Sequence, residues 1–131
     1  MNTRVNAWVD QAHEDLSLAQ LARDNVFQAA ACFHASQAAE KALKSALLEL
    51  GLEPPFTHVL NTLVSQLQDA GINTQNLERL ALRQLSSMAV QSRYPMDATP
   101  ASELFDQDDA DQALTTAKQV IATIQALDQQ A

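Results

Sequence analysis

Apolar residues recur at intervals of three and four along most of the chain, the spacing that lines one face of an α-helix rather than of a strand. Val5, Trp8, Val9, Ala12, Leu16 and Ala19 predict a first helix from about Arg4 to Arg23, broken by Asp24-Asn25. A second runs from about Val26 to Leu50 and stops at Gly51, a residue suited to the left-handed position just past a helix end. On that helix Ala35, Ala38, Ala39, Ala42, Leu43, Ala46, Leu47 and Leu50 gather on one broad face, while Phe33, Gln37, Glu40, Lys41 and Lys44 form a narrow stripe opposite. The broad face predicts a core, and the stripe a candidate site.

Pro54-Pro55 lacks amide donors and cannot sit inside a helix, so Leu52 to Phe56 is a connecting loop. Thr57 then caps a third, short helix carrying Val59, Leu60, Leu63 and Leu67, and Gly71 ends it. Asn73 or Thr74 caps a fourth, in which Leu77, Leu80, Ala81, Leu85 and Met88 keep helical spacing to about Gln91, with Arg93-Tyr94-Pro95 closing it. Met96 to Phe105 carries no periodicity and reads as a long loop. Ala110, Leu114, Ala117, Ile121, Ile124 and Leu127 predict a fifth helix. With no alternating run of β-branched residues, the pattern specifies an all-α protein. It predicts an antiparallel up-and-down bundle of four main helices plus one shorter helix, a single domain over residues 1–131.

Composition agrees with that class, since 47% of the residues are hydrophobic and only 2 are glycine. Charge narrows the partners: 8 basic against 16 acidic side chains give a formal net charge of -8, a field that repels polyanions and argues against nonspecific duplex DNA binding. Any anion site must be local. Cys32 is the single cysteine, which excludes an internal disulfide and cysteine-rich zinc sites, and it reads as a small buried apolar group. No signal-type segment or membrane-length apolar run is present, so no membrane contact is expected and a cytoplasmic location is the natural reading.

The chemistry-bearing residues are few. Glu40 and Lys44 stand four apart in the favourable order for an ion pair, which on an open helix face contributes only ~0.3–0.5 kcal/mol. Phe33, at the head of that stripe, has no reason to face bulk water and points to a subunit or ligand contact. His58 lies at the predicted start of the third helix, where free amides and an imidazole can hold an anion or shuttle a proton, or where it simply packs or caps. Arg93, beside Tyr94, either clamps a phosphate or pairs with a carboxylate such as Glu40 to tie the loop to the bundle. His13 and His34 are isolated and no metal site is expected. Ser36 and Ser45 lie within a helix, without the strained turn of a nucleophile elbow. Asp106, Asp108, Asp109 and Asp111 suit the first turn of the fifth helix and lack the spacing of a calcium loop.

Trp8 with Ala12 and Asp15-Leu16, Phe33 with the segment Gln37 to Lys44, Thr57-His58-Val59-Leu60, and Arg93-Tyr94-Pro95 together resemble the HEPN domain family over nearly the whole chain. The resemblance implies a helical bundle that commonly forms a homodimer, in a bacterial or archaeal setting. Such proteins are often encoded beside a minimal nucleotidyltransferase as a toxin-antitoxin-like pair, and nucleotide binding has been proposed for them. Other members are metal-independent ribonucleases with an arginine and a histidine four to six residues apart on one helix face. That spacing is missing here, since Arg4 and His13, and Arg23 and His34, stand too far apart and no histidine follows Arg93.

Three readings follow. In the first, a HEPN-like module binds a nucleotide or a nucleotidyltransferase. Its ligand contacts are drawn from Gln37, Lys41, Lys44, His58, Arg93 and Tyr94, with Glu40, Phe33 and Trp8 structural and no cofactor beyond the nucleotide ligand. In the second, a ribonuclease toxin acts on RNA through Arg93 with His58 or His34. In the third, the bundle is a dimerisation module alone, with Phe33, Trp8 and the polar stripe in the seam.

Overall fold

The first helix, α1 (Thr3–Asp24), begins where the Asn2 side chain accepts a hydrogen bond from the Arg4 amide at 2.8 Å. The fold is that of a computed structural model describing residues 2–130, with side chains as far as Leu127. α1 ends in a Schellman closure: the Phe27 amide donates to the Ala22 carbonyl at 2.8 Å and the Val26 amide to Arg23 at 3.2 Å, with Val26 at φ +69°. The same pair of bonds closes α2 (Gln28–Glu49) and α3 (Leu60–Asp69) around Gly51 and Gly71, at φ +78° and +95°.

Both glycines therefore occupy left-handed positions, and at the third such position a β-branched residue carries a strain of about 1–2 kcal/mol. Val26 is 79% exposed, so little packing is lost on truncation. Val26→Gly should raise the melting temperature by a few degrees, the relief of strain outweighing the roughly 0.5–1 kcal/mol entropy disadvantage of glycine. Thermal unfolding followed by circular dichroism checks this, and a lowered midpoint would show that the valine side chain contributes packing to the turn.

α2 is the central element, with α1, α3, α5 (Leu82–Gln91) and α6 (Gln107–Gln130) packed around it. Ala31, Cys32, Ala35, Ala38 and Ala39 have no exposed surface, and these short side chains let neighbouring backbones approach closely. The expected division of α2 into a buried face and an open stripe is corrected here. Leu50 is exposed and Ala46 only partly buried, whereas Glu40 and Lys44 lie inside. α2 is enclosed on nearly every side along its middle turns, so its polar residues sit in a seam rather than on a surface. Burial also pushes the Cys32 thiol up to about 12, with the nearby Asp106 and Asp109 charges adding to the shift. The reactive thiolate is therefore withheld at neutral pH.

Two helix boundaries differ from the sequence expectation. α3 starts at Leu60 rather than directly after Thr57, whose hydroxyl accepts from the Val59 amide at 3.1 Å. Ser86 of α5 reaches across to accept from the Leu60 amide at 2.9 Å, a cap supplied by a distant segment. The expected fourth helix is broken into α4 (Gln75–Glu78) and α5 by a corner at Arg79 to Ala81. Leu77 is fully buried on one side of the corner and Leu82, Leu85, Met88 and Ala89 on the other, while Ala81 is exposed. Leu77 and Leu82 lie too far apart around a single helix to face the same core, so the chain turns between them.

Between α5 and α6 the chain makes an isolated bridge, Met96 pairing with Thr99 at 2.8 and 2.9 Å, then a 3₁₀ turn at Ala101–Glu103. Asp106 and Asp109 form a reciprocal cap on α6: the Asp109 amide donates to the Asp106 carboxylate at 2.8 Å, and the Asp106 amide to Asp109 at 3.0 Å. Asp111 accepts from Arg23 at 2.8 and 3.3 Å, which fastens α6 to α1 and holds the Asp111 carboxyl below its usual range. Two members of the acidic cluster are thus caps and a third is a tie. Among the described residues no helix is long and apolar enough to cross a membrane.

Candidate functional site

α1 runs antiparallel along one side of the α2 stripe and the segment before α3 covers the other, and together they bring three charged side chains and a histidine of α2, with their partners, into one row. Asp15 of α1 is buried, its side chain only 5% exposed, and it accepts from Lys41 Nζ and, at 3.3 Å, from His34 Nδ1. Further along the row, Glu40 is also buried and accepts from Lys44 Nζ at 3.0 Å and from His58 Nδ1 at 2.7 Å. Each buried carboxylate is therefore held by one lysine and one histidine. The Lys44 ammonium also lies 5.9 Å from the centre of the Trp8 ring, a cation–π contact in a desolvated setting.

That pairing decides what the row can do. A carboxylate taken out of water is tolerated only when its lone pairs are met by donors, and here both lysines meet that need. Lys41 and Lys44, expected from the sequence as phosphate contacts, are each paired with a buried carboxylate, Lys44 inside the bundle and Lys41 at its edge. The expected Arg93–Glu40 pair does not form either, because Lys44 and His58 already fill the Glu40 carboxylate. His58 keeps its other ring nitrogen at a largely exposed position, with the side chain 58% accessible.

Arg93, just past the end of α5, stands apart from this network. Its Nε donates to the Ala89 carbonyl at 2.8 Å, which anchors the side chain through one nitrogen. Its guanidinium lies over two aromatic rings, 5.2 Å from the centre of Phe33 and 5.5 Å from that of Tyr94. No carboxylate pairs with it among the described residues. The stacking explains Phe33, which heads the stripe as a platform for the arginine rather than as a bare surface aromatic.

Beside Arg93 opens a groove of about 360 Å³, lined by Phe27, Gln28, Ala29, Phe33, Ser92 and Ser102 among others. It lies at the N-terminal end of α2, where Phe27 occupies the cap position and no side chain satisfies the first amides. Helix-end amides, a guanidinium with free N–H groups and a mostly apolar wall thus converge on one cavity. A larger groove of about 400 Å³ between α5 and α6, lined by Gln84, Met88 and Thr116, contains no basic residue.

The sequence-predicted residues divide between these two places. Lys41, Lys44, His34, His58, Glu40 and Trp8 form the row around the two buried carboxylates, whereas Phe33 and Arg93 line the groove and Tyr94 stacks against Arg93. Gln37 lies on the same stripe, half-buried, with no side-chain hydrogen bond among the described residues. Asp15 belonged to the residues that carry the family resemblance, but the sequence reading gave it no role in the site. Asp15 repeats the spacing of Val5, Trp8, Ala12 and Ala19, so a carboxylate at a core register was the available signal.

The family model for the HEPN domain matches residues 5–127. No curated protein matches the chain. Among solved structures, the chain is similar to TT1696 from Thermus thermophilus, with 32% identity and a TM-score of 0.84 over 96% of this chain and 98% of that one. It is also similar to ST0689, an archaeal HEPN homologue, at 26% identity and a TM-score of 0.71, covering 94% of this chain and 96% of the other. A HEPN domain protein from Thermotoga maritima shares the fold at 19% identity, with a TM-score of 0.70 over 95% and 99% of the two chains.

Proposed function

The chain belongs to the HEPN domain family, and from that premise we propose that it is a module that binds a nucleotide through its phosphate at the head of α2. Its protein partners in this reading are a second copy of the chain and a small nucleotidyltransferase, in a paired system of the toxin-antitoxin kind. One observation carries the reading: Arg93 is the cation of the site that no carboxylate neutralises among the described residues, and it is held by Ala89 and Phe33 at the edge of a groove that a ligand can enter. A guanidinium fork meets phosphate oxygens in pairs, and the amides at the start of α2 add to the same potential. In a chain of net charge -8 such a site attracts anions only locally. Phe27, 67% exposed, and Tyr94 offer flat surfaces beside it on which a base or a partner can pack.

The test is thermal unfolding with and without millimolar ATP. A ligand that binds only the native state stabilises it by about 2.7 kcal/mol at a hundredfold excess over Kd, which for a chain of this size is a shift of several degrees. No shift with any common nucleotide overturns the ligand reading.

A second reading, a metal-independent ribonuclease, is favoured by one contact. His34 meets the Phe33 ring edge-on, the two rings 5.2 Å apart, on the same phenylalanine over which Arg93 lies. An arginine and a histidine are thus neighbours through one aromatic, although their order and spacing in the chain are not those of the nuclease motif. The reading expects RNA cleavage in EDTA that disappears in both Arg93→Ala and His34→Ala. Equal cleavage by wild type and both variants would assign the activity to a contaminant.

A further inference from the structure

α5 and α6 each pack along α2 but barely on each other, which leaves the groove of about 400 Å³ between them. It shares no lining residue with the groove at Arg93. Ala81, Leu85, Met88 and Ala113 make its wall apolar, and Thr116 of α6 stands in that wall only 7% exposed. A threonine within a helix commonly returns its hydroxyl to the carbonyl one turn back, as Thr123 does to Gln119 at 2.7 Å. The Thr116 hydroxyl makes no hydrogen bond among the described residues, and it is not sealed off either, since the unpartnered side-chain polar atom that lacks accessible surface there belongs to Gln28. Gln112 and Ala113, four and three residues before Thr116 on the same helix face, line the same groove. An open, unbonded hydroxyl on a nearly buried residue of that face looks into the groove.

The charges around it are absent or already matched. No basic side chain lines the groove, and the Asp111 carboxylate at its edge accepts from Arg23. Gln84 and Gln112, both exposed, meet across it in a neutral pair, Nε2 donating to Oε1 at 3.2 Å. We propose that this groove is a second ligand site, separate from the nucleotide reading, for a small uncharged molecule that is mostly apolar and carries one hydroxyl or N–H group for Thr116 Oγ1. Its volume is in the range of small-molecule sites. Apolar burial supplies the affinity and the hydroxyl supplies the selection, because an apolar group of equal size at that point displaces water from Thr116 and returns no hydrogen bond. An anion gives up its hydration there with no cation to receive it.

Phenol, toluene and benzoate are suitable probes, since the first two differ by a hydroxyl in place of a methyl and the third adds a negative charge. In amide chemical-shift titrations of the full chain, phenol should perturb Gln84 to Met88 and Asp111 to Thr116. Toluene should bind there about fivefold more weakly, the worth of one net hydrogen bond, and benzoate should leave these amides unmoved. Thr116→Val keeps the side-chain shape and removes the hydroxyl, so phenol should fall to the level of toluene while toluene binding is retained, which also shows that the groove is intact in the variant. Phenol shifts that miss both helices, or no shifts at all, overturn the site. A preference for phenol that survives in Thr116→Val overturns the role of the hydroxyl, and benzoate binding as tightly as phenol overturns the ligand class. None of these outcomes touches the Arg93 groove, which the ATP experiment tests by itself.

Discussion

Glu40→Ala is expected to lower the unfolding free energy by about 3–5 kcal/mol, the range found when one partner of a buried ion pair is removed and the other charge is left inside. The Lys44 side chain is only 8% exposed and its remaining neighbour is the face of Trp8, which cannot replace a carboxylate. His58 loses its acceptor in the same step. A loss of that size is a large part of the roughly 5–15 kcal/mol that stabilises an ordinary domain, so the variant should unfold at a much lower urea concentration than wild type. Urea unfolding measures the change. Asp15→Ala should cost less, because Lys41 is 22% exposed and can carry its ammonium to water. The double replacement of Glu40 by Leu and Lys44 by Met should recover most of the loss, since an apolar pair of similar volume needs no compensating charge. Glu40→Ala with near-wild-type stability would show that the row is open to solvent.

Arg93→Ala is expected to do the reverse, removing ligand stabilisation while leaving the free protein nearly unchanged. The side chain lies at the rim, its one hydrogen bond goes to the Ala89 carbonyl, and its stacking on Phe33 and Tyr94 is worth only about 0.5–1 kcal/mol at an exposed site. A several-degree shift with ATP in wild type should fall to nothing in the variant, with the unliganded midpoint lowered by no more than a few degrees. Lys44→Ala will not report on ligand binding in this way. It leaves the buried Glu40 carboxylate with His58 as its one remaining partner, and its first consequence is a loss of stability.

Helix existence was legible in the spacing of apolar residues and the central role of α2 in its length, because a 22-residue helix repeats its period several times. The corner between α4 and α5 was not. Leu77 through Met88 kept an acceptable helical spacing, and only the position of the neighbouring core, which takes Leu82 and rejects Ala81, reveals the break. The chemistry was half legible: Phe33, Glu40, Lys44, His58 and Arg93 carry the stacking contacts and ion pairs, but their pairing depends on which elements flank α2. Glu40 and Lys44 read as an ordinary surface pair four residues apart, and become a buried one because Trp8 and the His58 segment close over them.

The central claim is that the lysines of the α2 row maintain the fold and that ligand binds at its head, on Arg93. Amide chemical-shift mapping of the isotope-labelled protein during titration with AMP tests this most directly, because it locates the ligand without altering a residue. Perturbations are expected around Phe27 to Phe33, Ser92 to Tyr94 and Ser102, with Lys41, Lys44 and Asp15 unmoved. Shifts centred on Lys41 and Lys44 would contradict the account, placing the ligand in the row and requiring the buried pairs to open.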